Sequence, residues 1–380
     1  MTKQGHASEL DLVTKHRFIL PSFTTAGGKS IRNVNVGWEA YGKLNAAKDN
    51  VILIPHFFSS NSHAAGRYRE TDPEPGYWDS IIGPGKAIDT DLFYVVSVDS
   101  LVNMNSKDGI TITTGPSSID PETGQPYGLS FPVVTIRDFV QVQKALFDSL
   151  GITKLHAVAG TSMGGLQAFE WAAAFPEMVE RVICVGGTAT QNPFSVLSLE
   201  TWCAPIRLDP AWNMGNYYDG AGPLAGLELA FFNVAVRAFH PEWAETNFGH
   251  RWTDPEKDPM AALENEFASD RSLKDLSVQR AKNTDANNML YMTKANQLFV
   301  AGTPGSSVAP GLENIKARTL MISVRTDLLF PSADAHAQVA RLKANGTHAE
   351  FFEIDSGIGH MAGVSDIGKA SHVIRDFLTP

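Results

Sequence analysis

The chain has 380 residues, 43% of them hydrophobic, and a formal net charge of −10. That is enough apolar material for a sizeable core. The mild acidity carries no basic stripe, which argues against nucleic acid as a partner. Two cysteines, Cys184 and Cys203, make no disulfide framework and stand in no CxxC or Cys/His cluster, so neither an oxidised scaffold nor a zinc site is expected.

The N-terminal text, MTKQGHASELDLVTKH, is polar and lacks the apolar run of a secretory signal. No stretch approaches the ~20 apolar residues of a membrane span, and the expectation is a cytoplasmic protein without membrane contact. HRFILPSF and RNVNVGWEAYG follow, alternating like an early antiparallel strand pair. VILIP (51–55), LFYVVSVD (92–99), LHAVAG (155–160) and RVICVGG (181–187) are short, continuously apolar and β-branched, as strands covered on both faces of a parallel sheet must be. IRDFVQVQKALFDSLG places Ile136, Phe139, Val140, Leu146 and Leu150 at helical spacing, with Gly151 as its stop. After Gly187 the strand pattern ceases, and 188–305 reads as helices and loops. RTLMISV (318–324) and HAEFFEI (348–354) then resume it. An α/β core over 1–187 and 306–380, interrupted by a helical lid over 188–305, fits this order better than two sequential domains.

The fifth strand runs into Gly160-Thr161-Ser162-Met163-Gly164 and then into good helix formers. A strand, G-x-S-x-G and a helix together describe a nucleophile elbow. The small residues two before and two after the serine let a tight turn form and lift its hydroxyl above the sheet edge. The helix start leaves free N–H groups beside it for a developing oxyanion. A serine needs a base, and the base an orienting acid. In α/β-hydrolases these follow as Ser, then Asp or Glu, then His. Asp327 follows the strand LMISV and His360 follows FFEI, in that order, so the expected triad is Ser162, Asp327 and His360. The oxyanion donors are expected from the backbone N–H of Phe58, in the loop HFFSSNSH after VILIP, and of Met163. His56 and His63 in that loop lack a third ligand and read as loop structure rather than a metal site.

Over nearly its full length the chain resembles the homoserine O-acetyltransferase family of α/β-hydrolases. The stretches that carry the resemblance include YWDSIIGPGKAIDTDLFYVVSVD, GTSMGGLQAFEWAAAFPEMVERV, NYYDGAGPLAGLELA, TDANNMLYMTKA and EIDSGIGH. The resemblance implies an eight-stranded, mostly parallel sheet, a helical lid, the triad just named and a homodimer joined through the lids. It also implies transfer of an acetyl group from acetyl-CoA to homoserine through an acyl-serine. The chain departs from that pattern where the family holds its substrate. Met361 stands where the family has an Asp after the catalytic His, and Phe231 where it has a lid Arg. Ser59 replaces a Thr in the oxyanion loop, and LVNMNSKDGITITTGPSS replaces a GGCxGSTGPSS stretch. Losing the charged anchors for a zwitterionic amino acid leaves Phe57, Phe58, Phe231 and Met361 as an apolar pocket, with Ser59 beside them. Arg207 is an alternative anchor. The reading is therefore a serine esterase for small uncharged carboxylic esters, acetates foremost, needing no metal or redox cofactor. Acyl transfer to homoserine or another alcohol is the alternative.

Overall fold

The structure, a computed structural model, describes residues 10–302 and 310–379. The N-terminal segment 1–9 and the expected domain boundary between 305 and 306 lie outside the described residues. The strands are β1 (His16–Thr24), β2 (Ser30–Tyr41), β3 (Val51–Pro55), β4 (Ile82–Gly83), β5 (Ile88–Asp89), β6 (Tyr94–Val98), β7 (Ala157–Thr161), β8 (Arg181–Val185), β9 (Arg318–Val324) and β10 (Ala349–Ile354). Eight of them form one sheet in the order β1-β2-β6-β3-β7-β8-β9-β10, while β4 and β5 pair separately. β1 and β2 form an antiparallel ribbon, with Phe18 opposite Val36, and β2 pairs antiparallel with β6. From β6 to β10 every pairing is parallel.

Strand alternation explains why β3, β7 and β8 read as unbroken apolar runs. Leu53, Val158 and Val182 enter one buried cluster, while Ile52, Ala157 and Ile183 enter a second on the opposite face. The first face is covered by α1 (Ile136–Leu150) and α2 (Met163–Ala174). The second is covered partly by the C-terminal helix, whose Ile374 and Phe377 are buried. Thr135 begins α1 with a reciprocal capping box to Asp138, and Gly151 ends it in the left-handed region at φ 68°.

Between β8 and β9 the described residues form α3 (Pro193–Leu208), α4 (Leu224–Ala238), α5 (Pro241–Asn247), α6 (Ala268–Lys282) and α7 (Ala286–Gln297). The two ends of this insertion meet in a neck. Gln191 N–H donates to Phe299 O at 3.1 Å, and Ala301 N–H to Ala189 O at 2.9 Å. Buried polar contacts fix α7 to the loop after β6. Asn288 Nδ2 donates to Asn103 O (2.9 Å) and Asp285 N–H to Met104 O (2.8 Å), while Tyr217 OH donates to Asp285 Oδ2 (2.8 Å). After β9 come α8 (Ser332–Ala344), β10, the single turn α9 (Ala362–Ser365) and α10 (Ser371–Leu378). No described helix is long and apolar enough to cross a membrane.

Candidate active site

Ser162 sits between the last residue of β7 and the first of α2, at φ 54° and ψ −123°. Positive φ is costly for a side chain other than glycine, so the turn must be held by its surroundings. The two motif glycines show how. A Cβ on Gly160 would lie 2.4 Å from the carbonyl carbon of Gly164, and one on Gly164 would lie 2.2 Å from Pro55 O. The strand and helix therefore cross at backbone contact, and the start of α2 rests directly on the end of β3. Ser162 is half-buried, and its N–H donates to Val185 O at 2.8 Å.

Asp327 and His360 leave the same carboxyl edge of the sheet, after β9 and β10 respectively. His360 Nδ1–H donates to Asp327 Oδ2 at 2.7 Å, with both side chains buried. The other carboxylate oxygen, Oδ1, accepts from the N–H groups of Leu329 (2.7 Å) and Phe330 (2.9 Å). Asp327 is thus fixed at both oxygens, and it fixes which ring nitrogen of His360 carries the proton. That leaves Nε2 free to accept one. Adjacent strands are ~4.8 Å apart, so the β10 loop must reach back across the sheet to approach β7. It does so over the turn after β8. Gly186 (φ 49°) packs closely against both: a Cβ there would stand 3.1 Å from Asp327 Oδ2 and 3.4 Å from His360 Cε1, in a backbone conformation that side chains rarely adopt. A Cβ on the next residue, Gly187, would stand 3.1 Å from Ser162 O. Ser162, Asp327 and His360 therefore surround one turn, and α9 closes the arrangement by seating Gly363 against Thr161.

The loop after β3, expected to supply an oxyanion donor, is held from below. Gln167 Nε2, on α2, donates to His56 O (3.2 Å) and is itself held by Gln143 of α1 (2.7 Å). His56 Nε2 accepts from Ser100 N–H (3.0 Å), so its Nδ1–H donates to Phe57 O (2.8 Å). Burial pushes its pKa down and keeps the ring neutral. His63 lies in a separate cluster, bonded to Glu39 Oε2 (3.0 Å) and stacked on Tyr68. Glu39 Oε1 also accepts from Tyr68 OH (2.6 Å), and Lys15 bridges to Ser62. Burial alone would raise the Glu39 carboxyl, but the bonds from His63 and Tyr68 and the Lys15 charge outweigh it and hold it below its usual range. Among the described residues no three His, Cys, Asp or Glu side chains gather as a metal site. Phe58 is buried against Trp202, and its N–H takes no partner among the described residues. The N–H of Met163 belongs to the free first turn of α2.

A cavity opens over Ser162, enclosing ≈ 470 Å³ including its mouth. Its walls combine the loop residue Phe58 with Phe194, Leu199 and Trp202 of α3, Arg237 of α4, Asn296 of α7, and Leu329 and Phe330 after Asp327. Of the expected pocket residues, only Phe58 is among these. Phe57 packs edge-on to Tyr77, and Ser59 turns its carbonyl to Asn105 and Arg280. Phe231 is buried in the core on the inward stripe of α4 with Leu227 and Ala235. Met361, half-buried, brings its N–H to Ala238 O at 3.4 Å, beside the end of α4. Arg207 pairs with Glu200 on the exposed side of α3. The cavity is not purely apolar, contrary to the expectation from the sequence. Arg237 supplies a cation that the reading missed, and the lone arginine within AFFNVAVRAF was its only trace.

Residues 109–366 match the alpha/beta hydrolase fold family. A homoserine O-acetyltransferase from Methanococcoides burtonii is 38% identical over 368 residues, covering 97% of this chain and 74% of that protein. The crystal structure of esterase E22 superposes with a TM-score of 0.92 at 48% identity, covering 97% of this chain and all of the other. That of homoserine O-acetyltransferase from Bacillus anthracis also gives 0.92, at 39% identity, covering 98% and 99%. A strained serine at the strand–helix junction, an Asp-bound histidine at the same sheet edge and these similarities agree: the chain belongs to the homoserine O-acetyltransferase-like family of α/β-hydrolases.

Proposed function

We propose that the protein is a serine esterase acting on short carboxylic esters, acetates among them, through an acyl-Ser162 intermediate. The observation that carries this reading is the strained Ser162 turn beside the Asp327-bound His360. In the proposed mechanism Asp327 orients His360 and stabilises its charged form. His360 Nε2 takes the Ser162 proton as Oγ attacks the ester carbonyl. The Phe58 and Met163 N–H groups stabilise the oxyanion, each donor worth about 3 kcal/mol. The alcohol leaves with the proton from His360, and water then repeats the sequence and releases the acid. Hydrolysis is favoured over transfer because Phe231 and Met361 stand where the family resemblance implies charged anchors for an amino-acid acceptor, and among the described residues lining the cavity no carboxylate replaces the one for its amine. Transfer of acetyl from acetyl-CoA to homoserine is the second reading, favoured by the homoserine O-acetyltransferase relatives at 38% identity. Pairing of two chains through the lid belongs to the same proposal, supported by the exposed Leu229 and Val236, seven residues apart on α4.

Initial rates separate the readings. Short acetate esters in water are supplied to the wild type and Ser162→Ala, and acetyl-CoA is supplied with and without homoserine. Ser162-dependent ester cleavage without O-acetylhomoserine is expected. Homoserine-dependent thiol release with matching O-acetylhomoserine would overturn the esterase assignment in favour of transfer.

A further inference from the structure

Buried polar side-chain atoms without a partner gather around the cavity over Ser162. Gln191 Oε1, Ser198 Oγ, Trp202 Nε1 and Arg237 Nε all belong to its walls and make no hydrogen bond among the described residues. Three of these atoms are donors and Gln191 Oε1 is an acceptor; a buried polar atom left unpaired is costly, and a ligand can complete it. Arg237 is the strongest of the four. It stands in the last turn of α4, its Nη2 donates to Leu328 O at 3.0 Å, and its guanidinium carbon lies 5.4 Å from the centre of the Phe194 ring. Arg207 and Arg325 pair with glutamates, whereas among the described residues no carboxylate pairs with Arg237. It is also the one charged side chain among the residues described as lining the cavity.

This arrangement selects a chemistry. A guanidinium, an indole N–H and a hydroxyl offer hydrogen to a group rich in lone pairs and negatively charged. One cation suits a monoanionic carboxylate better than a phosphate dianion. Among the described residues no carboxylate lines the cavity to receive an amine. We infer that Arg237 is a specificity-determining residue, and that the site prefers short esters carrying a carboxylate and no amino group. The inference rests on the esterase reading for turnover, and it replaces the uncharged substrate expected from sequence. The carboxylate can sit on either side of the scissile bond. In the ester of a hydroxy acid it belongs to the leaving alcohol, and in the half-ester of a dicarboxylic acid it belongs to the acyl group. In both, water adds across the C–O bond and an acid and an alcohol are released.

The test uses two matched pairs. 4-Acetoxybutanoate is compared with 4-acetoxybutanamide, and monoethyl succinate with ethyl succinamate, reading kcat/KM by product formation. In the wild type the carboxylate member of at least one pair should exceed its amide by about tenfold or more, chiefly through KM. Arg237→Gln should bring that ratio down by about tenfold, and Arg237→Lys should restore part of it. A wild-type ratio at or below one in both pairs would overturn the inference. So would an equal fall for both members in Arg237→Gln, which would make Arg237 a tether for the Leu328 loop. Binding of the four esters to Ser162→Ala by calorimetry reads the same preference without turnover. Carboxylate-selective binding with no wild-type hydrolysis would therefore defeat the esterase reading alone, and turnover of amide and carboxylate alike would defeat this inference alone. Should Arg237→Gln fail to fold, the wild-type ratios and Arg237→Lys still decide the matter.

Discussion

Replacing Asp327 with Asn tests how the proposed base is held, because the structure dictates which way the new amide must face. Oδ1 of Asp327 accepts from two backbone N–H groups, those of Leu329 and Phe330, while Oδ2 accepts from His360 Nδ1. An asparagine has one oxygen to share between these two sides. Facing its NH2 toward Leu329 and Phe330 would leave two donors opposed by donors, at ~1–3 kcal/mol each, or about 2–6 kcal/mol together. The oxygen therefore stays with the backbone and the NH2 meets Nδ1. Nδ1 must then accept, the ring proton moves to Nε2, and His360 can no longer take a proton from Ser162. The fold should tolerate the change, since size and both contacts are kept. The expected result is a fall in kcat of roughly 10⁴ on a short acetate ester, the size of effect seen when a triad histidine is locked in the wrong tautomer. Thermal unfolding should confirm that the variant remains folded. Retention of more than a tenth of wild-type kcat would refute the reasoning, because it would mean that the Asp327 contact does not set the histidine's tautomer.

Two further outcomes follow from packing and charge. Gly164→Ala would place a Cβ 2.2 Å from Pro55 O, so α2 must lift from β3. A stability loss of about 1–3 kcal/mol or more is expected in chemical denaturation, with loss of ester cleavage because the oxyanion loop lies at that contact. For Glu39, the folded-state pKa lies below the unfolded value of 4.5, so its stabilisation is full above that value and is lost as pH falls through the folded one. Glu39→Gln should therefore cost about 3 kcal/mol at neutral pH and make the loss of stability below pH 4.5 shallower than in the wild type, as read by melting temperature against pH.

Much of the scaffold was legible because backbone physics writes itself into local sequence. VILIP and RVICV can be buried on both faces only as central parallel strands, and Gly151 can end α1 in the left-handed region without a Cβ penalty. Gly160 and Gly164 mark a contact too close for any side chain, so G-x-S-x-G signals a geometry and not merely a pattern. The walls of the cavity were not legible, because they depend on how the helices between β8 and β9 are rotated, and tertiary packing alone decides that. On α4 the inward stripe is Leu227, Ala230, Phe231, Ala235 and Ala238, so Phe231 goes to the core. Arg237, seven residues after Ala230, stands about 20° of helix beyond it, at the edge of that stripe. There a long side chain can stay half-buried and send its guanidinium over Phe194 toward the space above Ser162. Phe231, where the family resemblance implies an Arg, therefore removes a charge from the sequence pattern without making the cavity uncharged. Six residues further along the same helix, Arg237 supplies the cation from a different face, and so the preference of the site for charged or neutral esters is a question about α4 as a whole.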